Sequence, residues 1–407
     1  MSPDACTSPL GSSSHYIDLE ERYGAHNYHP LDIVIERAEG CWVYDVEGNK
    51  YLDCLSSYSA LNQGHCHPKI LQTLKDQAAK VTLTSRAFRN NQLPLLYQEL
   101  HAISGKSRAL PMNSGAEAVE TALKMARKWG YQVKGIPENE AEIIVFENNF
   151  HGRTISIVSF STEDQYRDGF GPYTPGFKII PYDDLDALRA AITPKTCAIL
   201  IEPIQAEAGI LLPKPGYLKA IEDLCKQHRV LFMADEIQTG LGRTGKMFAF
   251  QHEGVNPDVI IVGKALSGGF YPVSAVMADD EVMGVFHPGD HGSTYGGNPL
   301  GCAVARTALQ VLQEENLVEK AATLGEKFLT DLAKIESPHI VEVRGRGLLI
   351  AIALNKPARS FCEALKAEGV LCKETHESVI RFAPPLVITQ EELAWAQERI
   401  RKVLQRA

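Results

Sequence analysis

The chain has 407 residues, 44% hydrophobic and 22% charged, which is enough apolar material for more than one domain-sized core. That balance excludes disorder, collagen and coiled coil as descriptions of the whole. Lys+Arg total 41 against 50 Asp+Glu, and the resulting charge of −9 is a poor match to nucleic acid or an anionic membrane.

At the N-terminus, MSPDACTSPLGSSS carries no Lys or Arg and no apolar core. It lacks the marks of a signal or transit peptide, so the expected location is the cytosol, with no membrane partner. Its Ser, Pro and Gly content predicts a loose segment through residue 14. Next comes WVYDVEGNKYLD (Trp42–Asp53), whose two alternating runs around Glu47-Gly48-Asn49 predict a β-hairpin. His65-Cys66-His67 are adjacent and cannot easily converge on one tetrahedral ion, so no metal site is expected. The nine cysteines include no CxxC pair and fit reduced thiols better than a disulfide scaffold.

Between about residues 105 and 300, short apolar runs alternate with amphipathic stretches. The predicted strands are Arg108–Asn113, Glu142–Glu147, Ala198–Pro203, Val230–Glu236, Val259–Lys264 and Val273–Ala278. Continuous apolar runs suit strands buried on both faces, hence an α/β region with a mostly parallel central sheet covered by helices. Helices are predicted over Ala116–Trp129 and Tyr217–His228. Beyond about residue 312, helices near Leu317–Lys334 and Ser360–Glu368 mix with strands near Val341–Ala353 and Val379–Phe382. A last helix begins at the Thr-Gln-Glu-Glu capping box starting at Thr389. The expected organisation is an N-terminal segment (1–58), a large α/β domain (59–312) and a smaller C-terminal α+β domain (313–407).

Ligands of open α/β sheets sit at the carboxyl ends of the strands. At those ends stand Phe150-His151-Gly152-Arg153, Glu202, Asp235-Glu236-Ile237-Gln238 and Lys264. Singly, each has an ordinary reading: Lys264 could reach water, and Asp235 could cap a turn. Together they suggest more. A desolvated lysine becomes nucleophilic toward carbonyls, and a carboxylate can pair with a pyridinium nitrogen. Pyridoxal 5'-phosphate needs both. Ser114-Gly115-Ala116, between a strand and a helix, could hold its phosphate on free backbone N–H groups. Ser293-Thr294 opens a second hydroxyl-rich loop able to do the same.

The stretch LFMADEIQTGLGRTGKMFAF followed by PDVIIVGKALSGGFYPVSAV closely resembles the cofactor signature of the class III, pyridoxal-phosphate-dependent aminotransferases. The likeness runs from about Tyr23 to the C-terminus. Segments such as GAHNYHPL, LSSYSALNQGHCHPKI and HGSTYGGNPLGC resemble that family's ornithine-using branch. The resemblance implies a large cofactor domain with a smaller C-terminal domain. It implies that Lys264 carries the cofactor, Asp235 pairs with the ring nitrogen, Gln238 meets the ring hydroxyl and Phe150 stacks on the ring. Gly115 and Ala116 would hold the phosphate, with Ser114, His151, Glu202, Ile237 and Ser293 beside them. Thr294 would reach the phosphate of a partner subunit, which implies a homodimer with shared active sites. Tyr28, Tyr58, Arg153, Glu207 and Arg381 would bind the small-molecule substrates. Arg381 would grip 2-oxoglutarate, and Glu207 would neutralise it while ornithine is bound. The implied reaction passes the δ-amine of L-ornithine to 2-oxoglutarate. The alternatives are an acetylornithine or 4-aminobutyrate aminotransferase.

Overall fold

The computed structural model describes residues 11–406. Ser13–Tyr23 is a helix, with the Ser12 hydroxyl accepting from His15 N at 3.3 Å. This corrects the expected looseness over residues 13 and 14; residues 1–10 of that segment lie outside the described residues. The strands are β1 (Ile35–Glu39), β2 (Trp42–Asp45), β3 (Lys50–Asp53), β4 (Arg108–Met112), β5 (Glu142–Phe146), β6 (Phe177–Ile180), β7 (Thr196–Ile201), β8 (Leu231–Asp235), β9 (Val259–Val262), β10 (Ser274–Ala278), β11 (Ile340–Arg346), β12 (Leu349–Leu354), β13 (Val370–Leu371), β14 (Lys373–Thr375) and β15 (Val379–Phe382). The hairpin expected around Gly48 is the antiparallel β2–β3 pair.

The central seven-stranded sheet runs β4-β10-β9-β8-β7-β5-β6. Its neighbours from β9 through β6 are parallel, and β10 alone pairs antiparallel with both its neighbours. Side chains alternate between two cores, as the two-residue strand period demands. Ile143, Ala198, Met233 and Ile261 pack with Ala118, Ala122 and Met125 of the helix Gly115–Trp129. Their neighbours Ile144, Ile199, Phe232 and Ile260 point into the opposite core. Each strand therefore had to be apolar throughout. At the partly buried edge β6 signals less, and sequence reasoning passed over it.

The C-terminal region forms an antiparallel sheet β11-β12-β15-β14 with flanking helices. The stretch expected near Val341–Ala353 is two strands turning at Gly347-Leu348. The last helix, Gln390–Arg406, carries its capping box: Glu392 N donates to the Thr389 hydroxyl, and Thr389 N donates to the Glu392 carboxylate. β13 pairs parallel with β3, so the N-terminal hairpin and the C-terminal region share one sheet. Arg243 ties the parts together from inside. Fully buried, it donates to Leu348 O, Pro384 O and the Asn62 side chain, and burial lowers its pKa to about 9.

Just after β3 the chain does something costly. Ser56, Ser57, Tyr58 and Ser59 all have left-handed φ, 51°, 47°, 61° and 72°. Each non-glycine residue there costs roughly 1–2 kcal/mol. Asp53 starts the turn, its Oδ1 accepting from Leu55 N and Ser56 N at 2.8 and 2.9 Å. The turn delivers Tyr58 to the ring-over-cation position beneath Arg381, 4.6 Å from ring centre to guanidinium carbon.

Candidate active site

Four adjacent strands, β9, β8, β7 and β5, deliver their C-terminal residues to one cavity of about 250 Å³. Lining it are Gly115, Ala116, Phe150, His151, Gly152, Glu202, Asp235, Ile237, Gln238, Thr239 and Lys264. Lys264 follows Gly263 with φ +41°, a left-handed conformation at the start of a short helical turn. Burial lowers the pKa of its amine, against the opposing pull of Glu207 and Asp235. The free-base form, the nucleophilic one, is thereby brought nearer to neutral pH.

Asp235 ends β8 at 4% exposure. Its Oδ1 accepts from Ile237 N at 3.0 Å, and its Oδ2 lies 2.6 Å from His151 Nδ1. Burial would discharge His151, but its hydrogen bond to Asp235 and the charges of Asp235 and Glu202 outweigh this and raise its pKa. The contact with Asp235 thus favours the protonated form of His151, whose Nε2 has no hydrogen-bond partner. Glu202 accepts from Phe150 N at 2.9 Å. Burial, reinforced by Asp235 and partly offset by His151, pushes its carboxyl up to about 8. The strand end beside Asp235 thus presents an acid that holds its proton at neutral pH.

Ser114 caps the helix Gly115–Trp129, its hydroxyl accepting from Glu117 N at 3.2 Å, so its side chain serves the helix rather than the cavity. Gly115 packs so tightly that a Cβ there would lie 3.1 Å from Ile237 Cδ1. The first-turn N–H groups that Ser114 leaves uncapped are available to an anion. Ser293 and Thr294 do not line this chain's own cavity. The Ser293 hydroxyl instead accepts from Asn113 Nδ2 at 2.9 Å.

At the mouth opens a larger cleft of about 600 Å³, walled by Tyr28, Tyr58, Phe150, Arg153, Glu207 and residues 373–377 among others. Arg381, on β15 and 1% exposed, donates to Glu207 Oε1 at 2.7 Å. Gln238 Nε2 donates to the same oxygen at 2.9 Å. Burial acts to raise Glu207, but Arg381 above all, with Lys264 and Gln238, lowers it below the ordinary carboxylate range. Tyr28 is 71% exposed at the rim. Sequence reasoning missed Thr239, although it lies in the cofactor signature directly after Gln238, and Tyr166, which follows no strand-end or motif rule.

A desolvated lysine, a buried carboxylate for a ring nitrogen, a flat aromatic wall and a helix N-terminus for a phosphate fit pyridoxal phosphate in size and chemistry, so the fold and site define a pyridoxal-phosphate-dependent enzyme. The family described as aminotransferase class-III matches residues 23–404. The chain is 62% identical over 395 residues to an ornithine aminotransferase of Brevibacillus brevis, covering 97% of this chain and 99% of that one. A solved ornithine aminotransferase of Toxoplasma gondii superposes with a TM-score of 0.96 at 46% identity, covering 97% of this chain and 94% of that one. An acetylornithine aminotransferase of Elizabethkingia anophelis is 51% identical with a TM-score of 0.88, covering 96% and 98%. The chain belongs to the class-III aminotransferases.

Proposed function

We propose that this aminotransferase transfers the δ-amino group of L-ornithine to 2-oxoglutarate. The products are glutamate and glutamate 5-semialdehyde, which cyclises to pyrroline-5-carboxylate. Support comes from relatives of that activity across nearly the whole chain, and from the Arg381–Glu207 pair. 2-Oxoglutarate brings a carboxylate beside its reacting carbon; ornithine brings only methylenes. A pocket for both needs a cation that can be silenced. Glu207, reaching Arg381 from the loop after β7, supplies the neutralising charge for ornithine. An incoming keto acid offers Arg381 its own carboxylate, and Glu207 swings aside.

Pyridoxal phosphate, when bound, supplies an aldehyde for the substrate amine and a ring that accepts electrons from the reacting carbon. The protein does the rest. Gly115 and Ala116 hold the phosphate, and Phe150 and Gln238 orient the ring. Asp235, braced by His151, keeps a proton on the pyridine nitrogen. Lys264, its amine pKa lowered by burial, takes the proton from the δ-carbon of ornithine and returns it across the C–N bond. Tyr28 and Arg153 hold the α-amino and α-carboxylate groups away from the reacting end. The second half-reaction runs in reverse on 2-oxoglutarate. Since Ser293 and Thr294 stand outside this chain's own cavity, we place them at the cofactor phosphate of a partner subunit, in a homodimer. The test is a stoichiometric assay with ornithine that traps pyrroline-5-carboxylate. More than one turnover per site should require 2-oxoglutarate; turnover without it would overturn the assignment.

A second reading, use of acetylornithine or 4-aminobutyrate, draws on the 51% identical acetylornithine enzyme. Tyr28 discriminates. A phenol serves a free α-amine and has no such work on an acetylated or absent one. Tyr28→Ile should lower the ratio of ornithine to 4-aminobutyrate turnover; an unchanged ratio favours the second reading.

A further inference from the structure

Arg153 stands on the loop after β5, exposed at the mouth of the larger cleft. Among the described residues it forms no ion pair, although Glu163 and Glu207 line the same cleft. What it has instead is an aromatic platform. Its guanidinium carbon lies 4.1 Å from the ring centre of Tyr166, and 6.0 Å from that of Phe150. Tyr166 in turn meets Phe150 edge-on, with centroids 6.1 Å apart at 76°. Tyr166 is half-buried in the short turn Asp164–Arg167, and Tyr166 N is tied to Glu163 O at 3.0 Å. One ring thus buttresses the wall of the cofactor cavity and carries the cation at its mouth.

We propose that Tyr166 is a specificity-determining positioning residue: it holds Arg153 for the carboxylate that both substrates carry remote from the reacting carbon. This rests on the ornithine and 2-oxoglutarate reading above. A guanidinium held over the Tyr166 ring, and hydrogen-bonded to its hydroxyl, keeps further N–H groups for contact with a carboxylate, whereas one paired with a neighbouring Glu would spend them. Stacking also removes the rotational freedom that an exposed arginine would lose on binding. Counted from the reacting carbon, the remote carboxyl carbon is about four bonds away in ornithine and about three in 2-oxoglutarate, so one cation at the cleft mouth serves both half-reactions with a difference in reach of a single bond. Arg381 and Glu207, by contrast, distinguish them.

The test uses the holoenzyme and its Tyr166→Ala and Tyr166→Phe variants. Substrates are ornithine and 1,4-diaminobutane, which is ornithine without its carboxylate. Half-reactions are followed by the cofactor's absorbance. A cation–π contact of this kind predicts a roughly 10-fold rise in the ornithine concentration for half-maximal rate in Tyr166→Ala. Any loss in limiting rate or in the diamine reaction should be the smaller, common part that comes from the support Tyr166 gives Phe150, with the ornithine-specific rise on top of it. Tyr166→Phe, which keeps the ring but loses the hydroxyl's hydrogen bond to Arg153, should fall between the parent and Tyr166→Ala. Equal losses with ornithine and the diamine would mean that Tyr166 only supports Phe150 and would overturn the proposal, as would no loss at all. A parent protein that ignores ornithine would instead sink the substrate reading, an outcome visible before any variant is made.

Discussion

Replacing Arg381 by Ala separates the two half-reactions. The side chain is 1% exposed and bonded to Glu207 at 2.7 Å, so its loss removes a desolvated charge from the keto-acid pocket. Breaking such a buried charge contact costs about 3–5 kcal/mol, or roughly 10²-fold to 4,000-fold in rate at 1.4 kcal/mol per decade. That loss should fall on the reaction of the amino form of the enzyme with 2-oxoglutarate. Ornithine never uses the free guanidinium, and Glu207 keeps Gln238 and the nearby Lys264 as partners, so ornithine's reaction should fall by less than about tenfold. Stopped-flow absorbance of each half-reaction is the assay, with thermal unfolding to confirm that the variant is folded. Arg381→Lys, which keeps the charge but not the planar fork, should fall between. Equal losses in both directions would refute the idea that Glu207 silences Arg381.

Glu202 should make the cofactor-free protein less stable as pH rises. Its native carboxyl holds its proton to about 8, whereas the unfolded one releases it near 4.5, so its contribution is full below 4.5 and is lost on rising to about 8. At about 1.36 kcal/mol per pH unit the difference reaches roughly 5 kcal/mol. Glu202→Gln has no proton to lose, so its Tm should fall less than the parent's between pH 5 and 8.5; parallel curves would contradict the shift. In the left-handed turn, exposed Ser57 has φ 47° and ψ 48°. Ser57→Gly should raise stability by about 0.5–1 kcal/mol, the relief of backbone cost less the entropy of glycine, and Ser57→Val should lower it. Urea midpoints decide, and the reverse order would count against strain at this turn.

Much of the cofactor site was legible in the chain itself. Strands buried on both faces must be apolar throughout, so β5, β7, β8 and β9 announced themselves, and the polar residue ending each run marked the sheet edge where ligands bind. Lys264, Asp235, Glu202 and Phe150 followed from that rule, and the capping box at Thr389 from local hydrogen bonding. The cofactor signature from Leu231 to Val276 added the family.

Other features depend on groups brought together across long separations, for which no local pattern exists. The Arg381–Glu207 pair joins residues 174 positions apart, and the His151–Asp235 bond joins residues 84 apart. Residue type alone favours solvent for Arg381 and Glu207, and their pairing was anticipated only through the family resemblance; the packed fold removes the water and makes it obligatory. The left-handed turn under Tyr58 is likewise invisible locally, since serine and tyrosine do not prefer it and the contacts with Asp53 and Arg381 impose it. Sequence determined which elements form and what ends them. Tertiary structure decided which charges face one another, because desolvation acts only once distant segments have closed around them.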